Sequence, residues 1–378
     1  MASGEIKSVA DAKLPRGMRV LLRADFNVPC AKGIVESDYR IRRALPTLEL
    51  LSRLGCRTVI VSHLDENSGT TLAPVAEYLN QKIPVAFAGS LKAAEQQAKK
   101  LQEGTFLLVE NIRREKGETE NSEAFAHRLA KLGDIYVNEA FAVSHRRHAS
   151  IVGVPKILPS YAGLLFVAEI RHLRSALSPE NPALFVLGGA KFETKLPLLV
   201  KLLERYANIF VGGALANDIF KSMGREIGLS KASSFAPDLK KIIKSSRVRM
   251  PIDVIVKRGD EATVISPEEV KVSDTIVDVG PETSALLEEL ARRSKFILWN
   301  GPLGICEDGF ARGTEHLAKA IATSGAQSIL GGGDTVAAVE KSGLTERFGF
   351  VSTGGGAMLE FLANETLPGI EALAQNNL

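Results

Sequence analysis

The sequence contains little cysteine and no long apolar segment. Its three cysteines, Cys30, Cys56 and Cys306, are odd in number and widely spaced, which fits a reducing compartment and excludes a disulfide framework or a zinc pattern. No run approaches the ~18 consecutive apolar residues that a membrane helix needs, and residues 1–18 have no apolar signal core. These absences predict a cytoplasmic protein without a membrane partner.

A large excess of charge of one sign is also missing, because the formal net charge is only +3 in 378 residues. A nucleic-acid-binding protein is expected to be far more basic, so we predict no nucleic-acid partner. Nothing in the sequence demands more than a monomer.

Several catalytic motifs do not occur in the sequence. There is no G-x-x-x-x-G-K-[ST] loop, no nucleophile elbow, no HExxH or CxxC metal spacing, and no G-x-G-x-x-G with an acid about 20 residues further on. These absences argue against a Walker-type ATPase, a serine hydrolase, a zinc enzyme and a dinucleotide dehydrogenase.

Apolar, β-branched runs alternate with helical patterns along the whole chain. The runs lie at 19–25, 57–63, 83–88, 105–111, 134–140, 182–189, 208–213, 253–256, 295–301, 328–333 and 350–356. Nearly continuous hydrophobic strands alternating with helices are typical of parallel sheets covered on both faces, and the length favours two cores. We predict an α/β fold with two Rossmann-like, doubly wound parallel-sheet domains, residues 1–163 and 181–361, joined by an interdomain helix over 164–180.

The two halves differ in the residues at the ends of their strands. Polar and charged groups lie at the strand ends of the first half, namely Asp25, Asn27, His63, Asn111, Arg113, Asn138 and Glu139. Glycines lie at those of the second half, at 188–189, 212–213, 301, 331–333 and 354–356. Ligands of such sheets bind at the carboxyl ends of the strands, and glycine lets the backbone approach a phosphate. The first half is therefore predicted to bind a small polar acid and the second half a nucleotide.

Three segments of the second half carry this nucleotide prediction. "GGGDT" (331–335) and "STGGGA" (352–357) each follow a strand and open a helix, where a phosphate-binding role is favoured over a plain turn. Asp334 could hold Mg²⁺ together with nucleotide phosphates, or act as a helix cap, or both. "LGGAKFETK" (187–195) presents Lys191 and Lys195, although in isolation such a segment is more often a tight turn with solvated lysines.

Two segments of the first half carry the acid-site prediction. "RADFNVP" (23–29) places Asp25 and Asn27 just past a strand, a pattern that alone is most often an Asx-type turn. "HRRHAS" (145–150) places two arginines and two histidines after another strand, where cations can meet an anionic substrate; a solvated basic turn is the alternative.

Taken together, these segments resemble the phosphoglycerate kinase family. Eleven matching segments occur in the family's order: "RADFNVP", "DYRIRRALPTL", "VIVSHL", "VENIR", "YVNEAFAVSHRRHAS", "LGGAKFETK", "GGGDT", "VDVGPET", "WNGPLGICE", "FARGT" and "VSTGGGAMLEFLANETLPGIEAL". The resemblance implies a closing cleft between two domains and a C-terminal tail, residues 362–378, that returns to the first domain. It implies reversible, Mg²⁺-dependent transfer of the 1-phosphoryl group of 1,3-bisphosphoglycerate to ADP, giving 3-phosphoglycerate and ATP.

The resemblance also implies roles for individual residues. The residues implied for the acid substrate are Asp25, Asn27, Arg40, His63, Arg113 and Arg146. Those implied for the nucleotide are Lys191, Lys195, Gly212, Gly213, Asn300, Pro302, Glu307, Gly333, Asp334 and Thr335, with Asp334 holding the metal and Glu307 the ribose. Those implied for transfer of the phosphoryl group are Arg40, Lys191, Gly354 and Gly355.

This chain departs from the family's usual pattern in the first half. Where the family usually has Gly-Arg-Pro after "SHL", this chain has Asp65-Glu66-Asn67, so Glu66 replaces an arginine expected near the non-transferred phosphate. Glu139 stands where aspartate is usual, and Arg147 where a small residue is usual. One hypothesis is that Arg147, or Arg114 beside Arg113, restores the missing positive charge.

Two other functions stay open at this point. The first is a kinase of the same fold that acts on another small carboxylate, an alternative supported by Glu66. The second is a catalytically silent nucleotide-binding scaffold, against which the presence of Arg40, Lys191, Lys195 and Asp334 argues.

Overall fold

The computed structural model describes residues 6–65, 71–233 and 239–375 of the chain. It divides into two compact units, the first formed by Met1–Arg171 with Thr366–Leu378 and the second by His172–Glu365. None of the helices in the described part of the chain combines the length and apolar character that a membrane crossing requires.

Unit 1 is built on a six-stranded sheet in which every neighbouring pair is parallel. Its strands and those of a small hairpin are β1 (Arg19–Arg23), β2 (Cys30–Ala31), β3 (Ile34–Val35), β4 (Arg57–Val61), β5 (Val85–Ala88), β6 (Phe106–Val109), β7 (Ile135–Asn138) and β8 (Ser160–Ala162). The first six helices are α1 (Tyr39–Arg53), α2 (Ala73–Asn80), α3 (Leu91–Gln97), α4 (Lys116–Thr119), α5 (Glu123–Ala130) and α6 (Leu164–Leu177). The strand order β5-β6-β4-β1-β7-β8 puts the ends of β6, β4 and β1 side by side.

Unit 2 has a second six-stranded parallel sheet, in the order β11-β10-β9-β15-β16-β17, and a separate three-stranded antiparallel sheet, β13-β12-β14. The strands are β9 (Ala183–Leu187), β10 (Asn208–Val211), β11 (Val248–Arg249), β12 (Val254–Arg258), β13 (Glu261–Ile265), β14 (Thr275–Val279), β15 (Phe296–Asn300), β16 (Gln327–Gly331) and β17 (Phe350–Val351). The helices are α7 (Phe192–Leu202), α8 (Gly213–Ser222), α9 (Lys240–Ile243), α10 (Pro281–Arg293), α11 (Arg312–Ser324), α12 (Gly333–Lys341) and α13 (Gly355–Asn364).

The last helix, α14 (Pro368–Gln375), belongs to unit 1 although it follows unit 2 in the chain. Its Ala372 packs in a buried apolar cluster with residues of unit 1, among them Ala140 and Ile151. The backbone N–H of Gly369 donates to the carbonyl of Ser144 over 2.8 Å. Unit 1 is therefore assembled from two separate stretches of the chain.

The predicted fold class is confirmed, with one correction to the sheets. Each of the eleven predicted runs contains a strand, but the run at 253–256 lies in β12 of the antiparallel sheet rather than in a parallel one. The sequence did not reveal this sheet because β13, the antiparallel partner of β12, is mostly exposed and carries no continuous apolar run. The helix predicted over 164–180 ends at Leu177, before Ser178 and Pro179, and the division between the units falls inside it, after Arg171.

Candidate active site

In unit 1 the turn after β1 holds a buried carboxylate against a cation from α1. Asp25 is 7% exposed, and its Oδ2 accepts a hydrogen bond from Arg40 Nη1 over 2.5 Å. Its Oδ1 accepts another from the Asn27 backbone N–H at 3.0 Å. Burial raises the pKa of Asp25, but the charge of Arg40, with smaller effects from His63 and the Asn27 N–H, outweighs burial and lowers this pKa to about 2. Asp25 is therefore ionised and fixes the position of the Arg40 guanidinium.

His63 follows β4 and is almost fully buried, with its Nδ1 3.2 Å from Arg23 Nη2. Burial holds the pKa of His63 well below its ordinary value; the nearby Asp25 opposes this effect, whereas the charge of Arg23 adds to it. The imidazole is therefore neutral. Because the guanidinium of Arg23 can only donate, Nδ1 is the acceptor and the hydrogen lies on Nε2. His63 offers a neutral N–H donor rather than a second cation.

The orientation of His63 depends on Arg23, which the sequence prediction missed. Arg23 is fully buried, and its Nε donates to Ser150 Oγ over 2.9 Å. Ser150 Oγ in turn donates to the buried carboxylate of Glu118 over 2.6 Å, and its backbone N–H donates there as well. The signal was an arginine in the last position of the apolar strand "RVLLR", since a buried charge needs a buried partner.

Arg113, which follows β6, makes a contact that the sequence did not predict. Its side chain is 7% exposed, and its Nη1 donates to Oδ1 of Asp65 over 2.8 Å. The Nδ2 of Asn27 donates to the other carboxylate oxygen of Asp65 over 2.9 Å. Two residues predicted to bind the acid substrate are therefore hydrogen-bonded to one carboxylate of the chain itself. Glu66 and Asn67 lie outside the described residues.

The segment "HRRHAS" adds positive charge to this region. Arg146 and Arg147 are exposed, and the charge of Arg146 helps to lower the pKa of Arg113, after the larger effect of burial. His148 is buried, and burial together with the neighbouring arginines lowers its pKa to about 4. Arg114 lies nearby in sequence, but its Nη1 pairs with Glu110 Oε2 at 3.3 Å. The structure thus concentrates guanidinium groups, with neutral histidines, at one edge of the sheet.

Glu139 was expected at the strand ends of the acid site, but its carboxylate binds backbone N–H groups at the start of α6. It is buried and accepts hydrogen bonds from Thr47 Oγ1 and from the backbone N–H groups of Leu165 and Phe166. Burial raises the pKa of Glu139 to about 8, against the opposing effect of these donors. A Cβ at Gly163 would overlap Glu139 Oε2, so the larger acid is accommodated by a residue without a side chain.

In unit 2 the ends of β9 and β15 approach each other backbone to backbone. The Gly188 N–H donates to the Asn300 carbonyl over 2.8 Å, and the Gly189 N–H donates to the Pro302 carbonyl over 2.7 Å. Gly301 has a φ of +95°, and a Cβ there would overlap the Gly188 carbonyl. Only glycine fits this approach, which explains the glycines at the ends of these two strands.

The two predicted lysines differ in environment. Lys195 is 8% exposed, and its Nζ donates to the Gly188 carbonyl over 2.6 Å. Burial is the main cause that lowers the pKa of Lys195 to about 8; Asp334 opposes this shift and Lys191 adds to it. Lys191 is exposed and sits at the N-cap of α7 with a φ of +66°, a conformation that side chains rarely adopt. The two lysines are near enough that the charge of Lys191 helps to lower the pKa of Lys195.

Helix N-termini face the same edge of this sheet. Helix α12 begins at Gly333 directly after β16, and α13 begins at Gly355 shortly after β17. A Cβ at Gly355 would lie 3.8 Å from the backbone N of Gly333, so the two N-termini are neighbours. Gly354 is the N-cap of α13, and Gly212 precedes α8, which begins at Gly213. Unpaired N–H groups of converging helix N-termini are suited to bind phosphate oxygens.

The residues around Asp334 meet the requirements of a magnesium–nucleotide site. Asp334 is exposed in the first turn of α12, whereas the next residue, Thr335, is buried and its Oγ1 accepts from the Gly301 N–H over 3.0 Å. The described residues contain no group of three or more potential metal-ligating His, Cys, Asp or Glu side chains. A single carboxylate fits Mg²⁺, which commonly takes one or two carboxylates and completes its shell with water and substrate phosphates.

Beside these groups lies a largely apolar pocket. Four of the predicted nucleotide residues line it, namely Gly213, Pro302, Glu307 and Asp334. Its lining also includes Phe220, Ile276 and Val279. The sequence prediction did not single them out, because the apolar residues of a pocket wall have the same pattern as ordinary core. An apolar pocket beside helix N-termini suits a nucleotide base beside its phosphates.

The two parallel sheets give the chain an α/β fold, and the comparisons place it among the phosphotransferases. The sequence model of the family described as "Phosphoglycerate kinase" matches residues 9–365. A phosphoglycerate kinase of Pelotomaculum thermopropionicum is 39% identical over 388 residues, covering 97% of this chain and 98% of the relative. One of Thermus thermophilus is 41% identical over 380 residues, covering 95% of this chain and 97% of the relative.

Solved structures give the same result. Phosphoglycerate kinase from Coxiella burnetii matches with a TM-score of 0.82 and 37% identity, over 99% of this chain and 100% of that one. The enzyme from Pyrococcus horikoshii matches with a TM-score of 0.86 and 31% identity, over 98% and 99%. The chain belongs to the phosphoglycerate kinase family.

Proposed function

We propose that the chain transfers the 1-phosphoryl group of 1,3-bisphosphoglycerate to ADP, reversibly, to give 3-phosphoglycerate and ATP. The observation that carries this proposal in unit 1 is the Asp25–Arg40 pair beside the neutral His63 and the buried Arg113. Such a set offers donors of fixed position and a strong positive potential to a small acid with a carboxylate and a phosphate. Unit 2 offers the matching nucleotide site.

Different residues of the acid site are proposed to bind the carboxyl end of the acid, bind its 3-phosphate and fix its orientation. Arg40, held by Asp25, would meet the carboxyl end that accepts the phosphoryl group, while Arg113 and Arg146 would meet the 3-phosphate. His63 Nε2–H and Asn27 would supply neutral hydrogen bonds that fix the acid's orientation. Ionised Asp25 is not needed as a base, because a carboxylate acceptor has no proton to lose.

The nucleotide site is proposed to bind phosphates with the backbone and with two lysines. The residues that would line it are Lys191, Lys195, Gly212, Gly213, Asn300, Pro302, Glu307, Gly333, Asp334 and Thr335. Mg²⁺, held by Asp334, supplies neutralisation of charge on the nucleotide phosphates when it is bound. Glu307, exposed at the pocket edge, would accept hydrogen bonds from the ribose.

Phosphoryl transfer needs in-line positioning and positive potential more than covalent help. Arg40 and Lys191 would stabilise the charge on the moving group, and the N–H groups near Gly354 and Gly355 would add neutral donors. Because the group passes directly between the substrates, we include closure of the two units in the proposal, which would also keep water from the acyl phosphate. A monomeric state and a cytoplasmic location stay predictions from the sequence.

A coupled assay with ATP, MgCl₂ and 3-phosphoglycerate tests the proposal, with KM measured for both substrates. Glycerate, which lacks the 3-phosphate, is the control acid and is expected to be a far poorer substrate. No turnover at saturating ATP and 3-phosphoglycerate would overturn the assignment. A better rate with another small carboxylate would replace the substrate but keep the reaction class.

The metal role of Asp334 needs a separate measurement. Asp334→Asn is expected to raise the Mg²⁺ concentration required for half-maximal rate by at least about tenfold, since it removes the carboxylate that the chain is proposed to supply. The control is Asp260→Asn, which removes a charge from an exposed turn of the same unit. Equal Mg²⁺ dependence in the two variants would contradict a metal role for Asp334.

A further inference from the structure

The carboxylate of Asp65 bridges two residues of the acid site. Its Oδ1 accepts from Arg113 Nη1 over 2.8 Å and its Oδ2 accepts from Asn27 Nδ2 over 2.9 Å. The Asp65 backbone N–H also faces Asn27 Oδ1, at 3.4 Å. The side chain of Asp65 is 70% exposed, whereas that of Arg113 is 7% exposed. The exposed Asp65 carboxylate is thus paired with the buried guanidinium of Arg113.

The surroundings of Arg113 favour binding of an anion. It lies near two like charges, Arg23 and Arg146, which together with burial lower its pKa, whereas Asp65 raises it. Its Nε is buried and, among the described residues, has no hydrogen-bond partner. A buried guanidinium with an unfilled donor and cationic neighbours is stabilised by a carboxylate or by any oxyanion that takes its place.

We propose that Asp65 is an intramolecular competitor for the acid substrate at Arg113 and Asn27. The inference rests on the proposed function, in which these two residues bind the substrate acid. An incoming phosphate or carboxylate oxygen has to displace the Asp65 carboxylate before it can accept the same N–H groups. Asp65 therefore raises the KM for the acid. It also weakens the binding of monoanions whose contacts with Arg113 and Asn27 do not compensate for the displaced carboxylate.

The size of the effect follows from the exposure of Asp65. The Asp65 carboxylate is exposed, so water takes over its charge when a substrate oxyanion displaces it, and Arg113 stays paired with the incoming anion. Removal of the carboxylate is therefore expected to lower KM for 3-phosphoglycerate about threefold to tenfold. Asp65→Asn keeps an acceptor oxygen but loses the charge, so its KM should lie between those of the wild type and Asp65→Ala.

The test compares three variants in the steady-state assay and in calorimetric titration of the nucleotide-free protein with 3-phosphoglycerate. Asp65→Ala should lower both KM and Kd for the acid, with KM for ATP unchanged. The control is Asp134→Ala, which removes an acidic residue paired with Arg19 on the surface of the same unit. This control should change neither constant by more than about twofold.

Three results would overturn the inference. An unchanged Kd in Asp65→Ala would mean that the carboxylate does not compete, and a raised Kd would mean that Asp65 positions Arg113 for the substrate. Equal decreases in Asp65→Ala and Asp134→Ala would show a general effect of net charge. Failure of the proposed function looks different, because the wild type itself would then neither turn over nor bind 3-phosphoglycerate.

Discussion

The Arg40 guanidinium donates to Asp25 over 2.5 Å, and Asp25 is almost fully buried whereas the Arg40 side chain is 29% exposed. The buried carboxylate thus holds a partly exposed cation in one place. If this cation stabilises the transferring group as proposed, Arg40→Ala should lower kcat about a hundredfold to a thousandfold. The measurement is kcat at saturating substrates, with circular dichroism to confirm the fold.

Arg42→Ala is the matched control for this substitution. Arg42 lies on the same helix but pairs with Asp38, and its side chain is 41% exposed. Its loss should leave kcat within about twofold of wild type. An Arg40→Ala enzyme that keeps more than a tenth of the wild-type kcat would rule out Arg40 as the transferring cation.

Lys195 should give the reaction a pH dependence near pH 8. Its folded-state pKa is lowered to about 8 from an ordinary 10.5, mainly by burial. Nucleotide phosphates need the protonated lysine, and kcat/KM reports the free enzyme, so kcat/KM for ATP should fall as pH rises through about 8. The stability term has the opposite sign: between pH 8 and 10.5 the unfolded lysine holds more protons, so this group's contribution to stability rises with pH.

Lys195→Arg separates Lys195 from other groups that titrate in this range. Arginine stays charged throughout, so the fall of kcat/KM near pH 8 should disappear even if the overall rate is lower. The same descending limb in both proteins would assign it to another residue.

Glu139 and Gly163 should be energetically coupled. A Cβ at position 163 would overlap the Glu139 carboxylate, so Gly163→Ala is expected to lower the free energy of unfolding by about 1–3 kcal/mol. In a Glu139→Asp background the shorter acid leaves room, and the same substitution should cost at least about 1 kcal/mol less. Urea unfolding of the four proteins measures both terms, and strictly additive losses would contradict the coupling.

Arg147 and Arg114 are the two candidates for restoring positive charge near the proposed 3-phosphate position. Arg114 is paired with Glu110, whereas Arg147 is exposed next to Arg146. We therefore expect Arg147→Ala to raise KM for 3-phosphoglycerate about threefold to tenfold and Arg114→Ala to leave it nearly unchanged. If Arg147→Ala leaves this KM unchanged, Arg147 is not the substitute; a rise only in Arg114→Ala would assign that role to Arg114.

The strand ends were predictable because parallel strands end at one edge of their sheet. Periodicity located β1, β4 and β6, and the polar residues after them, Asp25, His63 and Arg113, had to be near each other once those strands were neighbours. In the second half the same reasoning placed glycines at helix N-termini. These predictions needed only local patterns and the rule that connects them.

Contacts between distant segments were not predictable in this way. The pairing of Asp65 with Arg113 joins residues 48 positions apart and depends on the path of two loops. In the sequence Arg23 is one polar residue at the end of an apolar strand, whereas in the structure it supports His63 through a buried chain of hydrogen bonds. The apolar wall of the proposed nucleotide pocket, including Phe220 and Ile276, cannot be separated from core by hydrophobicity alone.

Unit 1 consists of two stretches of chain that are separated by the whole of unit 2, and this order matters during synthesis on the ribosome. Chain growth delivers residues 172–365, all of unit 2, before it delivers α14. Until α14 emerges, the apolar surface around Ala140 and Ile151 that receives Ala372 stays uncovered. The unit made first is therefore completed last, and its uncovered apolar surface is open to misassociation during translation.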